Sequence, residues 1–277
     1  MLPTNFTTPA FDAGTVWLVG AGPGDPGLLT LHAAHALMQA DVVLHDALIA
    51  PEILSLTPPT RLVPVGKRAG GKRTHQLRIN EMLIQLARRR LRVVRLKGGD
   101  PLVFGRGAEE ALALAAAGIA FRIVPGISAG IGGLAAAGIP LTHRHLGRSV
   151  SFATGHDSAG GLAELDWAAF ARGADVLVLY MVRNRMSEIA HRLIASGRAA
   201  DEAVALIASA TTAGQCVVTA SLETAGIAAA TLPSAAPVIL VVGPVVALRS
   251  LLDSWQQTSP MTVTATPTMP EPARVKG

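Results

Sequence analysis

The sequence predicts an α/β protein of two domains, and three observations lead there. Half of its 277 residues are hydrophobic but only 4% are aromatic, so the core must be built from Ala, Val, Leu and Ile. That mix suits parallel sheets covered by helices. Short apolar runs end repeatedly in Gly/Pro-rich turns that lead into helical patterns, the signature of βα alternation. After Thr142-His-Arg-His-Leu-Gly147 the pattern changes. The short gap between the runs 203–208 and 216–220 implies an antiparallel hairpin in a mixed sheet. The expected division is a loose arm over 1–13, an N-terminal α/β domain over 14–147, a C-terminal α/β domain over 148–255, and a disordered Thr/Pro-rich tail over 256–277.

In order, 15–19 predicts the first strand, followed by the turn Gly20-Ala-Gly-Pro-Gly-Asp-Pro-Gly27. Thr30 can cap a helix reaching about Gln39, and 41–45 is the second strand, completing a βαβ beginning. The dinucleotide fingerprint G-x-G-x-x-G is incomplete. Gly20 and Gly22 fit, but Asp25 stands at the third glycine and Pro23 lacks a donor for a pyrophosphate. Asp46 sits near the place of a ribose-binding acid, so the mimicry is partial. A third strand over 61–65 precedes Gly66-Lys-Arg-Ala-Gly-Gly-Lys-Arg73. Gly66 to Lys72 matches the glycine and lysine spacing of a phosphate loop, but Arg73 replaces the Ser or Thr that would bind magnesium. This loop reads as a basic lid over an anionic ligand or as a plain solvated loop. Helical spacing follows over 76–90, with arginines at the end where the helix dipole favours cations.

The strand over 92–96 opens the densest stretch, Arg95-Leu-Lys-Gly-Gly-Asp-Pro-Leu-Val-Phe-Gly-Arg-Gly107. Adjacent Gly98 and Gly99 let main chain approach a ligand, and Pro101 presets a turn. Asp100 places an acceptor at the carboxyl end of a strand, where open α/β sheets bind ligands. A helix over 109–117 closes at Gly118. The strand 121–124 turns through Pro125-Gly-Ile-Ser-Ala129 into a helix closed by Gly138. The second domain should hold strands at 150–154, 176–181, 203–208, 216–220 and 238–242, with helices near 184–196, 222–229 and 245–254.

The net charge is +5 and the pI about 10.1, but the cations are dispersed and no aromatic-interleaved basic tract is present. A small polyanionic substrate explains the same excess, and a solvated basic surface is the bland alternative. Cys216 is the only cysteine, which excludes an intrachain disulfide and fits a reducing compartment. No signal-peptide pattern opens the chain. The uncharged stretch 123–141 contains five glycines and two prolines, which argues against a membrane span.

Taken together, Val19-Gly-Ala-Gly-Pro-Gly-Asp-Pro-Gly-Leu-Leu-Thr30, His45-Asp46, Val65-Gly-Lys67, Arg95-Leu-Lys-Gly-Gly-Asp-Pro101, Gly105-Arg-Gly107, Val124-Pro-Gly-Ile-Ser-Ala129, Gly138-Ile-Pro-Leu-Thr-His-Arg144 and Tyr180-Met181 occur in this order. The chain thereby resembles the tetrapyrrole methylase superfamily from about Gly14 to Leu252. Lys-Gly-Gly-Asp-Pro with Gly-Arg-Gly, and Thr-His-Arg, point within it to the uroporphyrinogen-III C-methyltransferases. The resemblance implies the class III methyltransferase fold, two α/β domains with S-adenosylmethionine in the cleft between them, and a cytoplasmic homodimer without metal, nucleic acid or membrane. It implies methylation of uroporphyrinogen III at C2 and C7, through precorrin-1 to precorrin-2, for cobalamin or sirohaem. No dehydrogenase–ferrochelatase portion precedes the matched region, so a stand-alone enzyme is expected. Carried over by motif, Pro23, Gly98, Gly99, Asp100, Val103, Ser128, Ala129, Met181, Ala210 and Val238 contact the methyl donor. Asp46 is carried over as proton acceptor and Lys67 as proton donor.

The substrate so implied is an electron-rich macrocycle bearing eight carboxylates. Its carbons are already nucleophilic, so alignment and proton removal are the tasks left to the protein. Arg106 and Arg144 are candidates for holding carboxylates, with Thr142 and His143 beside them and Lys67, Lys72 and Arg73 as weaker ones. Departures from the family pattern are His45-Asp46-Ala47 without an adjacent Arg, Ser128 for Thr, Ala210 for Gly, Val238 for Ala, and Pro244 for Glu. The competing readings are a sister methylase acting on later corrinoids, an RNA methylase, and a non-catalytic donor-binding module.

Overall fold

The computed structural model describes residues 7–66, 76–156 and 161–252. The first sheet is built from β1 (Val16–Gly20), β2 (Val42–His45), β3 (Leu62–Pro64), β4 (Val93–Lys97) and β5 (Phe121–Val124), in the spatial order β3-β2-β4-β1-β5. All of its pairings are parallel. Both faces of β1 and β4 are covered, so these strands are buried throughout. Val94 and Leu96 face the helix α1 (Leu31–Gln39), where Leu37, Trp17 and Val43 share their cluster. Val93 faces the opposite way, toward Ile79 and Leu83 of α3 (Gln76–Arg88) and Leu114 of α4 (Gly107–Ala116). By strand alternation Arg95 and Lys97 share that second face. The short helix α2 (Pro51–Leu54) was not anticipated from sequence; its one buried side chain is Ile53.

Of the N-terminal segment, Phe11 is buried and stacks on Trp17 with ring centroids 4.4 Å apart. Thr30 caps α1 as expected, its Oγ1 accepting from the Ala33 N–H at 3.1 Å. Residues 253–277 fall outside the described ranges.

The second sheet contains β6 (Val150–Thr154), β7 (Val176–Tyr180), β8 (Ala203–Ala208), β9 (Cys216–Ser221) and β10 (Val238–Val242), ordered β6-β7-β10-β8-β9. β6 and β7 run parallel, and the remaining pairings are antiparallel, including the expected β8–β9 hairpin. Leu177 and Leu179 pack on one side with α7 (Met186–Ala195) and α8 (Ala225–Ala230). A further helix, α6 (Trp167–Arg172), joins that side and was missed because it spans fewer than two turns. Residues 244–248 form a 3-10 helix rather than the expected α-helix start, with Pro244 at its head after Gly243 at φ 143°.

The other face of the second sheet is closed by α5 (Ala129–Ala136), which follows β5 of the first sheet. Leu134, Ala137 and Ile139 pack there against Val176, Val178, Ile207 and Val241. One helix therefore joins a strand end of the parallel sheet to the core of the mixed one.

Candidate active site

The carboxyl ends of β1 and β4 come together in a glycine cradle. Gly22 and Gly99 exchange backbone hydrogen bonds, 3.2 Å from the Gly22 N–H and 2.7 Å from the Gly99 N–H. A methyl group on Gly126 would lie 2.2 Å from the Gly99 carbonyl oxygen and 2.8 Å from the Gly20 Cα. Main chain thus meets main chain from three loops, an approach that only glycine permits. Gly98 differs, since a Cβ built on it meets nothing within 4 Å. Its open side is where a ligand can approach the main chain. Both oxygens of Asp100 hold the cradle together, Oδ1 accepting from the Leu102 N–H at 2.8 Å and Oδ2 from the Gly126 N–H at 3.1 Å.

Opposite the cradle stands the start of α5, with Ser128 at its N-cap. The Ser128 Oγ lies 2.7 Å from the Tyr180 hydroxyl, which also accepts from the Gly130 N–H at 3.0 Å. Burial raises the pKa of Tyr180 above its ordinary value, against the opposing pull of its bonds to Ser128 and Gly130, so the phenol stays neutral. Its ring stacks obliquely on Phe104 at 5.0 Å and lies 6.2 Å from Phe152. Phe104, Phe152 and the adjoining Met181 remain exposed there, as do Leu102 and Val103 just before Phe104 in the chain. These side chains form an apolar rim beside polar main chain, the mixture usual in small-molecule sites.

The second sheet contributes the loop after β8. The Asp25 N–H donates to Thr211 Oγ1 at 3.1 Å, and a Cβ on Gly24 would lie 3.1 Å from the Ala210 carbonyl oxygen. Val238 pairs with Ala208 and is buried. Phe104, Arg106, Met181, Ser209 and Thr211 all have φ between 49° and 62°. Left-handed backbone in non-glycine residues is held only where surroundings enforce it, and it gathers at functional sites. A cavity of about 600 Å³ opens at this junction, lined by Asp25, Leu28, Ile127, Ile131, Thr211 and Gln215. The Gly98–Asp100 turn does not line it.

Asp46 follows β2 and meets a guanidinium after all. No arginine adjoins it in the chain, and Arg95 of β4 takes that place, its Nη2 donating to Asp46 Oδ1. Arg95 is only 2% exposed, and its Nη1 ties to the Leu96 carbonyl at 3.1 Å. Its Nε donates to Glu110 Oε1 at 3.0 Å. The same oxygen accepts from Lys97 Nζ at 3.1 Å and from Gln76 Nε2 at 3.0 Å. Burial alone would lower the pKa of Arg95, but Asp46 and Glu110 outweigh it and hold the guanidinium charged. Burial, helped by Arg95, pushes Lys97 down. Buried charges persist only when paired, and here two cations meet two carboxylates.

The other expected residues are placed as follows. Arg106 is at the N-cap of α4 and pairs with Glu109 through Nε at 2.9 Å, both side chains exposed. Thr142, His143 and Arg144 lie in a turn closed by the His143 N–H on the Gly147 carbonyl at 2.8 Å. Gly147 packs against Val176 and Val245, so this turn sits at the start of β7, whereas Tyr180 is at its end. Lys67, Lys72 and Arg73 lie outside the described residues. Sequence reasoning assigned no role to Tyr180, Arg95, Lys97 or Glu110. Two cations on one face of a buried strand were the available signal, because they demand a buried acid. No group of three or more His, Cys, Asp or Glu arranged to hold a metal occurs among the described residues, and no helix among them is long and apolar enough to cross a membrane.

A parallel sheet whose strand ends form a glycine cradle, closed over by a helix seated on a mixed sheet, defines a two-sheet α/β enzyme with a candidate site between the sheets. Residues 15–226 match the family Tetrapyrrole (Corrin/Porphyrin) Methylases, and the chain belongs to that family. It is 52% identical over 247 residues, 88% of each chain, to a uroporphyrinogen-III C-methyltransferase of Sinorhizobium sp. It is 49% identical over 250 residues to siroheme synthase 1 of Yersinia enterocolitica, covering 90% of this chain and 52% of that relative. The chain thus spans about half the length of that siroheme synthase. Among solved structures, the uroporphyrin-III C-methyl transferase of Thermus thermophilus complexed with S-adenyl homocysteine is 39% identical, with TM-score 0.74 over 84% of this chain and 99% of that one.

Proposed function

We propose that this chain transfers methyl groups from S-adenosylmethionine to C2 and C7 of uroporphyrinogen III, giving precorrin-2 by way of precorrin-1. The observation that carries the reading is the cradle, in a chain so similar to a named uroporphyrinogen-III C-methyltransferase and to a relative holding S-adenyl homocysteine. The open side of Gly98 and the positive φ of Gly99 suit a ligand lying along main chain. Ser128 and Ala129 would meet the donor from the start of α5. Pro23, Val103 and Met181 would line its sides, and Ala210 and Val238 would reach it through their backbone. Asp100 would act chiefly by locking the cradle, since its oxygens already accept two main-chain donors.

Bound there, the donor supplies an electrophilic methyl group. The protein's task is then to orient a carbon of the macrocycle and take a proton from the methylated ring. Asp46 is the acceptor in this reading and Lys67 the proton donor. Arg106, Thr142, His143 and Arg144 would hold substrate carboxylates, Arg106 exchanging its Glu109 partner for one of them. We further propose a cytoplasmic homodimer whose product serves cobalamin or sirohaem formation, with the division between the two domains at 147/148.

An anaerobic assay with purified protein, uroporphyrinogen III and labelled S-adenosylmethionine tests the reading by product mass. A gain of two methyl groups is expected. Donor binding without transfer would move the substrate to a later corrinoid, and failure to bind the donor would reject the site.

A further inference from the structure

We infer that Glu110 positions the proposed base: by neutralising Lys97 and one edge of Arg95, it leaves the other guanidinium edge free to fix the Asp46 carboxylate. The inference rests on the proposed role of Asp46.

The geometry is that of a hub. Glu110 is fully buried on α4, in the same stripe as Gly107, Ala111 and Leu114. A single oxygen, Oε1, accepts from Arg95, Lys97 and Gln76, which come from β4 and α3. Arg95 meanwhile reaches main chain at Leu96 and the side chain of Asp46. Of the four charged side chains, Asp46 alone has substantial exposure, at 32% against 0% to 3% for Arg95, Lys97 and Glu110. The buried part is therefore a rigid support, and Asp46 is its exposed end, just past the carboxyl end of β2. His45 adds a second restraint, its Nδ1 lying 3.0 Å from the Asp46 carbonyl oxygen.

Charge balance gives Glu110 its importance. Arg95 and Lys97 bring two positive charges into a site that water does not reach, and Glu110 and Asp46 bring two negative ones. Without the Glu110 charge, two buried cations would compete for Asp46. The carboxylate would then be drawn inward and held too firmly to accept a proton. Catalytic geometry tolerates little of this, because a displacement near 1 Å can slow a reaction by about a hundredfold.

Glu110→Gln is the test, because an amide oxygen can still accept from all three donors while the charge disappears. Steady-state kinetics with uroporphyrinogen III should show kcat falling by on the order of tenfold or more, with KM for the macrocycle and the Kd of S-adenosylhomocysteine changing by less than about twofold. Lys97→Met combined with Glu110→Gln restores neutrality and should recover most of the lost kcat. A role in packing alone predicts the opposite, since two changes would damage the core more than one. An unchanged kcat in Glu110→Gln overturns the inference, as does a double variant no faster than the single one. Should Glu110→Gln not fold, the double variant decides, and a folded but slow double variant overturns it. A wild-type protein inactive on uroporphyrinogen III would instead reject the proposed function, and this inference with it.

Discussion

Asp46 follows β2 of the first sheet and Tyr180 ends β7 of the second, and each depends on a partner remote in sequence. Arg95 holds Asp46 across 49 residues, and Ser128 meets Tyr180 across 52. Asp46→Asn keeps an acceptor for the buried guanidinium, so the fold should survive. Turnover should fall by about 10²- to 10⁴-fold, the range for losing a general base. Binding of S-adenosylhomocysteine, followed by calorimetry, should be retained. Tyr180→Phe removes the hydroxyl that joins Ser128 and the Gly130 N–H. Urea unfolding should show a loss of about 1–2 kcal/mol, and calorimetry a weaker affinity for S-adenosylhomocysteine.

At the scale of elements, the glycine cradle requires β1, β4 and the β5–α5 loop to converge. Gly126→Ala places a methyl group against the Gly99 carbonyl oxygen and the Gly20 Cα, neither of which can move without its strand. A loss of roughly 3 kcal/mol or more in urea unfolding is expected, together with weakened donor binding. The link between α1–β2 and β4 is electrostatic as well as apolar. Arg92 donates Nη2 to Asp41 Oδ1 at 2.8 Å, and its Nε and backbone N–H both reach Oδ2. The side-chain and backbone bonds from Arg92 lower the Asp41 pKa to about 2. A carboxylate held below its unfolded value stabilises the fold above that unfolded value, and the benefit disappears as pH falls through the folded one. Wild type should therefore exceed Asp41→Asn in stability at pH 5, and the difference should vanish as pH falls toward 2. Urea titrations across that range measure it. The pair is partly exposed, so the difference should be modest.

For the whole molecule, the question is whether the two sheets unfold together. The helix α5 continues from β5 yet buries Leu134 in the core of the second sheet, and Thr211 of the second sheet bonds the Asp25 backbone of the first. These shared contacts predict one cooperative transition. Trp17 lies in β1 and Trp167 in α6, so fluorescence of single-tryptophan variants can follow each sheet separately. The two curves should coincide. Gly133→Val would drive a side chain against Ala210, whose Cβ lies 2.7 Å from the position of a Cβ on Gly133. It should destabilise by about 1–3 kcal/mol and, if the coupling holds, shift both curves.

Local chemistry decided much of this protein from the sequence alone. Period-2 and continuous apolar runs located all ten strands among the described residues, because strand burial depends on short-range patterning. The glycine turns, the Thr30 cap and the β8–β9 hairpin followed from backbone sterics and spacing. The ordered motifs carried the family, which the match over residues 15–226 bears out. Glu110 was legible in principle, since its place in the apolar stripe of α4 answers the two cations of β4. What only the tertiary structure decided is which distant groups pair. Arg95 replaces the arginine missing beside Asp46, Tyr180 supports the start of α5, and α5 itself belongs to the packing of the second sheet. Strand order brings β2 against β4, Val42 opposite Val93, although α2, β3 and α3 lie between them in the chain. Such pairings depend on how sheets assemble in three dimensions, and one chain's local periodicity holds no record of them.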